Sequence, residues 1–172
     1  MQVMSQPGLR RYLPALLLAC GLLAGCATPE RLAPGADQAT VLRTVGAPFE
    51  RHRLADGERW VYPAGGLQQE TWMVDLDPGG RVVRVRQVLD MAHFSRVRVG
   101  VDTEADVRRQ FGPPREVQAF ARVNLTAWLY AYRESNMWNS EMAIYFDPQG
   151  IVRKVENGPD PRFLGNGNDR AQ

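Results

Sequence analysis

Cys26 is the residue best placed to do chemistry. It ends the run Leu23-Ala24-Gly25-Cys26, directly after an apolar stretch from Tyr12 to Ala24. That stretch follows Arg10 and Arg11, and no acidic residue precedes the cysteine. A thiolate is a strong nucleophile, and the small residues before it leave the adjacent peptide bond open to a peptidase. The other candidates do not assemble. His52 and His93 lie in separate segments with no carboxylate or cysteine at ligand spacing, whereas a metal centre draws on three or four such ligands. Ser95, Ser135 and Ser140 lack nucleophile-elbow surroundings. Asp75 and Asp77 stand two apart on one predicted strand and could pair as carboxylates. Asp77, however, opens an Asp-Pro-Gly-Gly turn, where Asp is favoured for a hydrogen bond to its own backbone. These residues predict no enzyme, no metal and no cofactor.

The leader gives Cys26 its meaning. Residues 1–25 read as a secretory signal: a basic start, an apolar run too short to remain as a membrane span, and small residues at the end. Leu23-Ala24-Gly25-Cys26 resembles the lipobox of bacterial lipoproteins. That resemblance implies a diacylglycerol on the Cys26 sulfur, cleavage just before Cys26 and acylation of the new N-terminus. The alternative is an ordinary signal with an incidental cysteine. Arg10-Arg11 reads as plain n-region charge for general secretion rather than twin-arginine export. Ala27, not Asp, follows the cysteine; by likeness to enterobacterial lipoproteins this directs the chain to the outer membrane, facing the periplasm.

Cleavage changes the composition. From 172 residues, 147 remain, and Cys20 leaves with the signal, so no disulfide is expected. The 21 basic residues lose Arg10 and Arg11, leaving 19 against 19 acidic ones. A near-neutral body gives no electrostatic case for nucleic acid, and 147 residues suit one domain or two very small ones.

What remains is written twice. "VLRTVGAPFE" (41–50) returns as "VRRQFGPPRE" (107–116), with Val41, Gly46 and Pro48 matching Val107, Gly112 and Pro114. Trp60 and Tyr62 match Trp128 and Tyr130. Asp77-Pro78, Gly80 and Val82 match Asp147-Pro148, Gly150 and Val152. Order is kept while the offset grows slowly, as in diverging structural repeats. Asp37 can cap a helix over 38–45 that Gly46 stops in a left-handed conformation. Thr103 and Asp106 stand at capping-box spacing before a helix that Gly112 ends, with Pro113-Pro114 forbidding continuation. Alternating strands follow, joined by Asp-Pro turns. The expected fold is α+β: two tandem repeats, each a short helix or helix pair packed on a three- to four-stranded antiparallel sheet. The expected boundaries are a signal over 1–25, a lipidated tether over 26–34, repeat one over 35–89, linker and repeat two over 90–157, and a disordered tail over 158–172.

Lipobox, tether, "G…V…G.P", a "W.Y" strand and a "D..G.V" hairpin together resemble the BamE/SmpA/OmlA family of outer-membrane lipoproteins. The elements carrying the likeness are Gly100, Val107, Gly112, Pro114, Trp128, Tyr130, Asp147, Gly150 and Val152 in copy two. Gly35, Val41, Gly46, Pro48, Trp60, Tyr62, Asp77, Gly80 and Val82 carry it in copy one. The family carries one such domain where this chain has two. The resemblance implies a non-catalytic protein-binding module whose partners are envelope proteins, including the β-barrel assembly machinery, in outer-membrane protein assembly or envelope integrity. The family domain is related in shape to the repeats of beta-lactamase inhibitory protein. That likeness implies the alternative, an inhibitor or regulator of a periplasmic enzyme.

Candidate docking residues come from what the helices leave uncovered. If Trp60/Tyr62 and Trp128/Tyr130 face the helices, the opposite face carries Val61, Thr71, Met73, Leu129, Ala131, Ala143 and Tyr145. Met73 and Tyr145 are its proposed contacts. Met137 and Trp138 stand in the polar loop "ESNMWNSE"; the Trp either tucks back onto its sheet or meets a partner. Phe163-Leu164 in the tail is either a docking motif or a segment packed on the sheet edge.

Overall fold

In the computed structural model the described residues are 28–64 and 67–164. Cys26, the signal and the tail from residue 165 lie outside them. Helix α1 (Gln38–Val45) begins where the Asp37 side chain accepts the Thr40 N–H at 2.7 Å. Four strands follow in the order β1 (Glu50–Leu54), β2 (Gly57–Ala64), β3 (Glu70–Leu76) and β4 (Val82–Gln87), each antiparallel to the next. A one-turn helix, α2 (Met91–Phe94), is capped by Asp90. Helix α3 (Glu104–Phe111) carries the reciprocal Thr103–Asp106 capping box. The second sheet runs β5 (Glu116–Phe120), β6 (Leu125–Glu134), β7 (Trp138–Phe146) and β8 (Val152–Pro159), again antiparallel in chain order. The architecture is α+β with two four-stranded antiparallel sheets and a few short helices.

The same hydrogen bonds recur in both halves. The Tyr62 hydroxyl donates to the Gly46 carbonyl (3.2 Å) and the Tyr130 hydroxyl to the Gly112 carbonyl (3.1 Å). Asp77 Oδ1 accepts the Arg81 N–H, and Asp147 Oδ1 the Ile151 N–H, both at 2.9 Å. Gly35 and Gly100 each donate at 2.7 Å, to the Val82 and Val152 carbonyls. Gly46 and Gly112 have φ of 81° and 76° with ψ of −169° and −161°. This is the extended positive-φ region open essentially to glycine alone, rather than the left-handed helical turn expected.

Alternation along the strands then decides what each face meets. Val41 of α1 is buried with Trp60, Tyr62, Val74, Leu76 and Val82 of the first sheet. The other face of that sheet does not reach solvent. Val61 and Met73, both 0 % exposed, pack with Phe94, Val107 and Phe111. Those helical residues also meet Tyr130, Tyr132, Met142 and Ile144 of the second sheet. The layers therefore run α1, sheet one, α2 with α3, sheet two.

Two expected boundaries move. Pro29 and Leu32 are buried, Leu32 in the α1-side core, so the segment assigned to a tether is docked from its fourth residue onward. Residues 158–164 are not a disordered tail: β8 continues to Pro159, and a 3-10 turn, Pro161–Phe163, is capped by the buried Asp160.

Candidate functional site

A cleft opens where the two halves meet. Each helix ends in a Gly and a proline-containing turn, and the Tyr hydroxyl that holds each Gly carbonyl fixes that turn against a strand. The result is a cleft of about 570 Å³ between Ala47 and Phe49 on one side and Pro113 and Pro114 on the other. Tyr62, Thr71, Leu89 and Tyr130 form its floor and walls, with Gln68, Glu70 and Arg115 as its polar groups. Both tyrosines stay neutral: burial pushes Tyr62 up to about 12 and Tyr130 further. Phe49 is 66 % exposed. Its backbone N–H is held by the Val61 carbonyl at 2.8 Å, so an ordered backbone presents a large apolar side chain to water.

The two halves are joined elsewhere by polar links. The Arg108 Nε donates to Glu50 Oε1 at 2.8 Å, joining α3 to β1. Arg59 grips Asp75 with Nε (2.6 Å) and Nη2 (3.0 Å) and donates from Nη1 to the Arg109 carbonyl at 3.1 Å. Gln69 reaches Asn139 at 3.0 Å. Such links across half-buried ground fix register more than they add stability.

The sequence-predicted residues fall into different settings. Met73 is corrected: α2 and α3 cover its face of the sheet, so it belongs to the shared core and offers nothing to a partner. Val61 and Thr71 are buried on the same face. Tyr145 lies on the outer face of the second sheet and is half-buried, with the Phe120 ring 5.8 Å away and Lys154 over its own ring at 5.3 Å. Met137 and Trp138 are 65 % and 66 % exposed at the β6–β7 hairpin, so the Trp does not tuck onto its sheet. Phe163 and Leu164 are exposed too, while Arg162 between the turn and the first half donates to the Leu67 carbonyl at 3.3 Å. Cys26 lies outside the described residues. The cleft and Phe49 were missed because the cleft exists only once both halves are stacked.

Most of the polar candidates are engaged with neighbouring groups. His52 meets Glu50 at 3.0 Å and His93 meets Asp90 at 2.8 Å, so each histidine has one carboxylate partner where none was expected. Ser140 donates to Glu134 and Ser95 to the Ala92 carbonyl. Asp75 serves two arginines and Asp77 its turn. Among the described residues no three His, Cys, Asp or Glu side chains gather as a metal cage, and no helix is long and apolar enough to cross a membrane.

No family model matches the chain, and no curated protein does. Among solved structures, a DUF4309 family protein (YjgB) from Bacillus subtilis subsp. subtilis str. 168 is similar at 12% identity. The match covers 73% of this chain and 79% of that one with a TM-score of 0.31, too low to carry any argument.

Proposed function

We propose that this chain is an outer-membrane lipoprotein, anchored through lipid on Cys26 and facing the periplasm, that binds other envelope proteins without catalysing a reaction. In this reading the two halves are tandem copies of one helix-on-sheet unit, and their stacking builds the binding cleft. The carrying observation is that cleft, about 570 Å³ with aromatic and proline walls and the exposed Phe49 at its rim. Rigid apolar walls with a few polar groups are what a protein-recognition site uses. The lipobox and the resemblance to the BamE/SmpA/OmlA family support the location and the role in outer-membrane assembly or envelope integrity.

The test is photo-crosslinking from position 49 in intact envelopes of the lipidated chain, with Phe49→Ala as competitor control. Crosslinks to outer-membrane or barrel-assembly proteins are the expected result. Crosslinks to a soluble periplasmic hydrolase would replace this reading with that of an enzyme regulator. Absence of any protein adduct would overturn protein binding at the cleft.

A further inference from the structure

A second pocket, of about 70 Å³, opens where the first sheet meets α2 and α3. Its lining is rich in arginine: Arg59, Arg86 and Arg96, with His93, Gln110, Val88 and Phe111 completing it. One carboxylate serves the sheet side. Arg59 holds Asp75 through two nitrogens, and Arg86 Nη2 shares the same Asp75 Oδ2 at 2.8 Å. Arg84 stands opposite Asp75 in the β3–β4 register and adds a further positive charge. The buried Arg86 Nε meets no acceptor. Burial disfavours the Arg86 charge, Asp75 supports it, and Arg59 and Arg84 oppose it again, leaving it below the ordinary arginine range.

The carboxylates of the facing elements are engaged with their own neighbours. Asp90 is engaged by His93 Nδ1, which leaves Nε2 as that ring's other polar atom. Asp102 is engaged by Arg98 and more distantly, at 3.4 Å, by Gln110. Arg96 is exposed and belongs to none of the ion pairs among the described residues. Three arginines, Arg59, Arg86 and Arg96, thus line a small, partly desolvated space, with Asp75 serving two of them and Asp90 held by the neighbouring His93. Guanidinium forks match oxyanions in geometry, and a half-buried setting strengthens each charged hydrogen bond.

We propose that this pocket binds a small oxyanion of the phosphate class, held by Arg86 and Arg96 from opposite sides of the seam. The bound anion would tie the first sheet to α2, so occupancy would tighten the two halves against each other. The site does not depend on the lipid at Cys26 or on a protein partner.

The experiment is thermal unfolding of the lipidated chain in neutral detergent, titrated with inorganic phosphate against sodium chloride of matched ionic strength. A saturable rise in the melting temperature with phosphate and not with chloride is expected. Arg96→Ala, a change at an exposed and unpaired side chain, should weaken phosphate binding about tenfold, the loss of one charged hydrogen bond, while keeping the unliganded melting temperature. Binding to vesicles carrying a phosphomonoester lipid, compared with neutral vesicles, tells a headgroup from a free ion as the natural source. Phosphate that acts no differently from chloride, or an Arg96→Ala chain that binds like wild type, overturns the proposal. Arg86→Lys gives a second check, since it keeps the charge while removing the fork.

Discussion

At the scale of single residues, the two helix-ending glycines show how one sequence signal can serve two duties. Both have positive φ, but a Cβ on Gly46 would meet nothing within 4 Å. A Cβ on Gly112 would lie 2.7 Å from Val61 Cγ1 and 3.1 Å from Thr71 Cγ2, because there the second half seats on the first sheet. Gly46→Ala should therefore cost only the backbone term, about 1–3 kcal/mol. Gly112→Ala should cost more and should also loosen the cleft. Equal losses in denaturant melts would show that the close approach is not felt. The carboxylates make a separate claim about acid. Burial alone would raise Asp75, Asp102 and Asp160, but hydrogen bonds and charge from Arg59 and Arg86, from Arg98, and from Arg162 outweigh it. All three end below the ordinary 3.8. A depressed folded pKa contributes stability that is present above the unfolded value and lost as pH falls through the folded one. Melting temperature should thus hold near neutrality and decline below about pH 4. Asp102→Asn should flatten part of that decline, and an unchanged pH profile in that variant would remove Asp102 from the account.

At the scale of elements, the helices and their stops were legible because capping and glycine chemistry are local. Asp37, Thr103 with Asp106, and the two glycines mark ends that lie within one turn of themselves. The period-two placing of aromatic and large apolar residues likewise marked β2, β3, β6 and β7, although only β7 alternates in burial and β6 is buried on both faces from Ala127 to Tyr132. What could not be read was the partner of the second face. Val61 and Met73 look like any apolar residues on a half-exposed sheet; only the stacking of α2 and α3 on them makes them core. The helix α2 was legible only as a possible one-turn companion, four residues being too few to show a period. Yet it delivers Phe94, 4.9 Å from Phe111 and 5.2 Å from Tyr132. Phe94→Ala should cost about 3–5 kcal/mol. Since Phe94 packs with residues of both sheets, the loss should appear as one cooperative transition rather than as melting of one half. Two separated transitions in calorimetry would mean the shared core does not couple them.

At the scale of the whole molecule, the same sheet face has opposite fates in the two halves, and this defines where the stack ends. In the first half it carries Val61 and Met73 beneath α2 and α3. In the second half the face around Leu129 is roofed by its own long side chains: Arg115 on Glu141, Lys154 on Glu156, and Tyr145 between Phe120 and Lys154. A polar roof of this kind caps a stacked architecture against further addition. The opposite end of the stack is where the chain arrives. With Pro29 and Leu32 docked on the first half, only Cys26, Ala27 and Thr28 remain between a lipid and the folded body. Three extended residues span about 10 Å, a third of what a tether reaching to Pro34 would allow. On the proposed lipidation, the Pro29 end of the first half is held against the bilayer surface, and the polar-roofed sheet points away from it. A partner embedded in the membrane would then meet the molecule at a fixed height. Inserting a 20-residue Gly/Ser linker between Ala27 and Thr28 adds a mean reach on the order of 25 Å and leaves the Thr28 carbonyl on the Arg31 N–H. Capture of a membrane-embedded partner should fall several-fold, while the melting temperature and the mass of the lipid on Cys26 stay as they were. Undiminished capture with the lipid intact would show that height above the membrane plays no part in recognition.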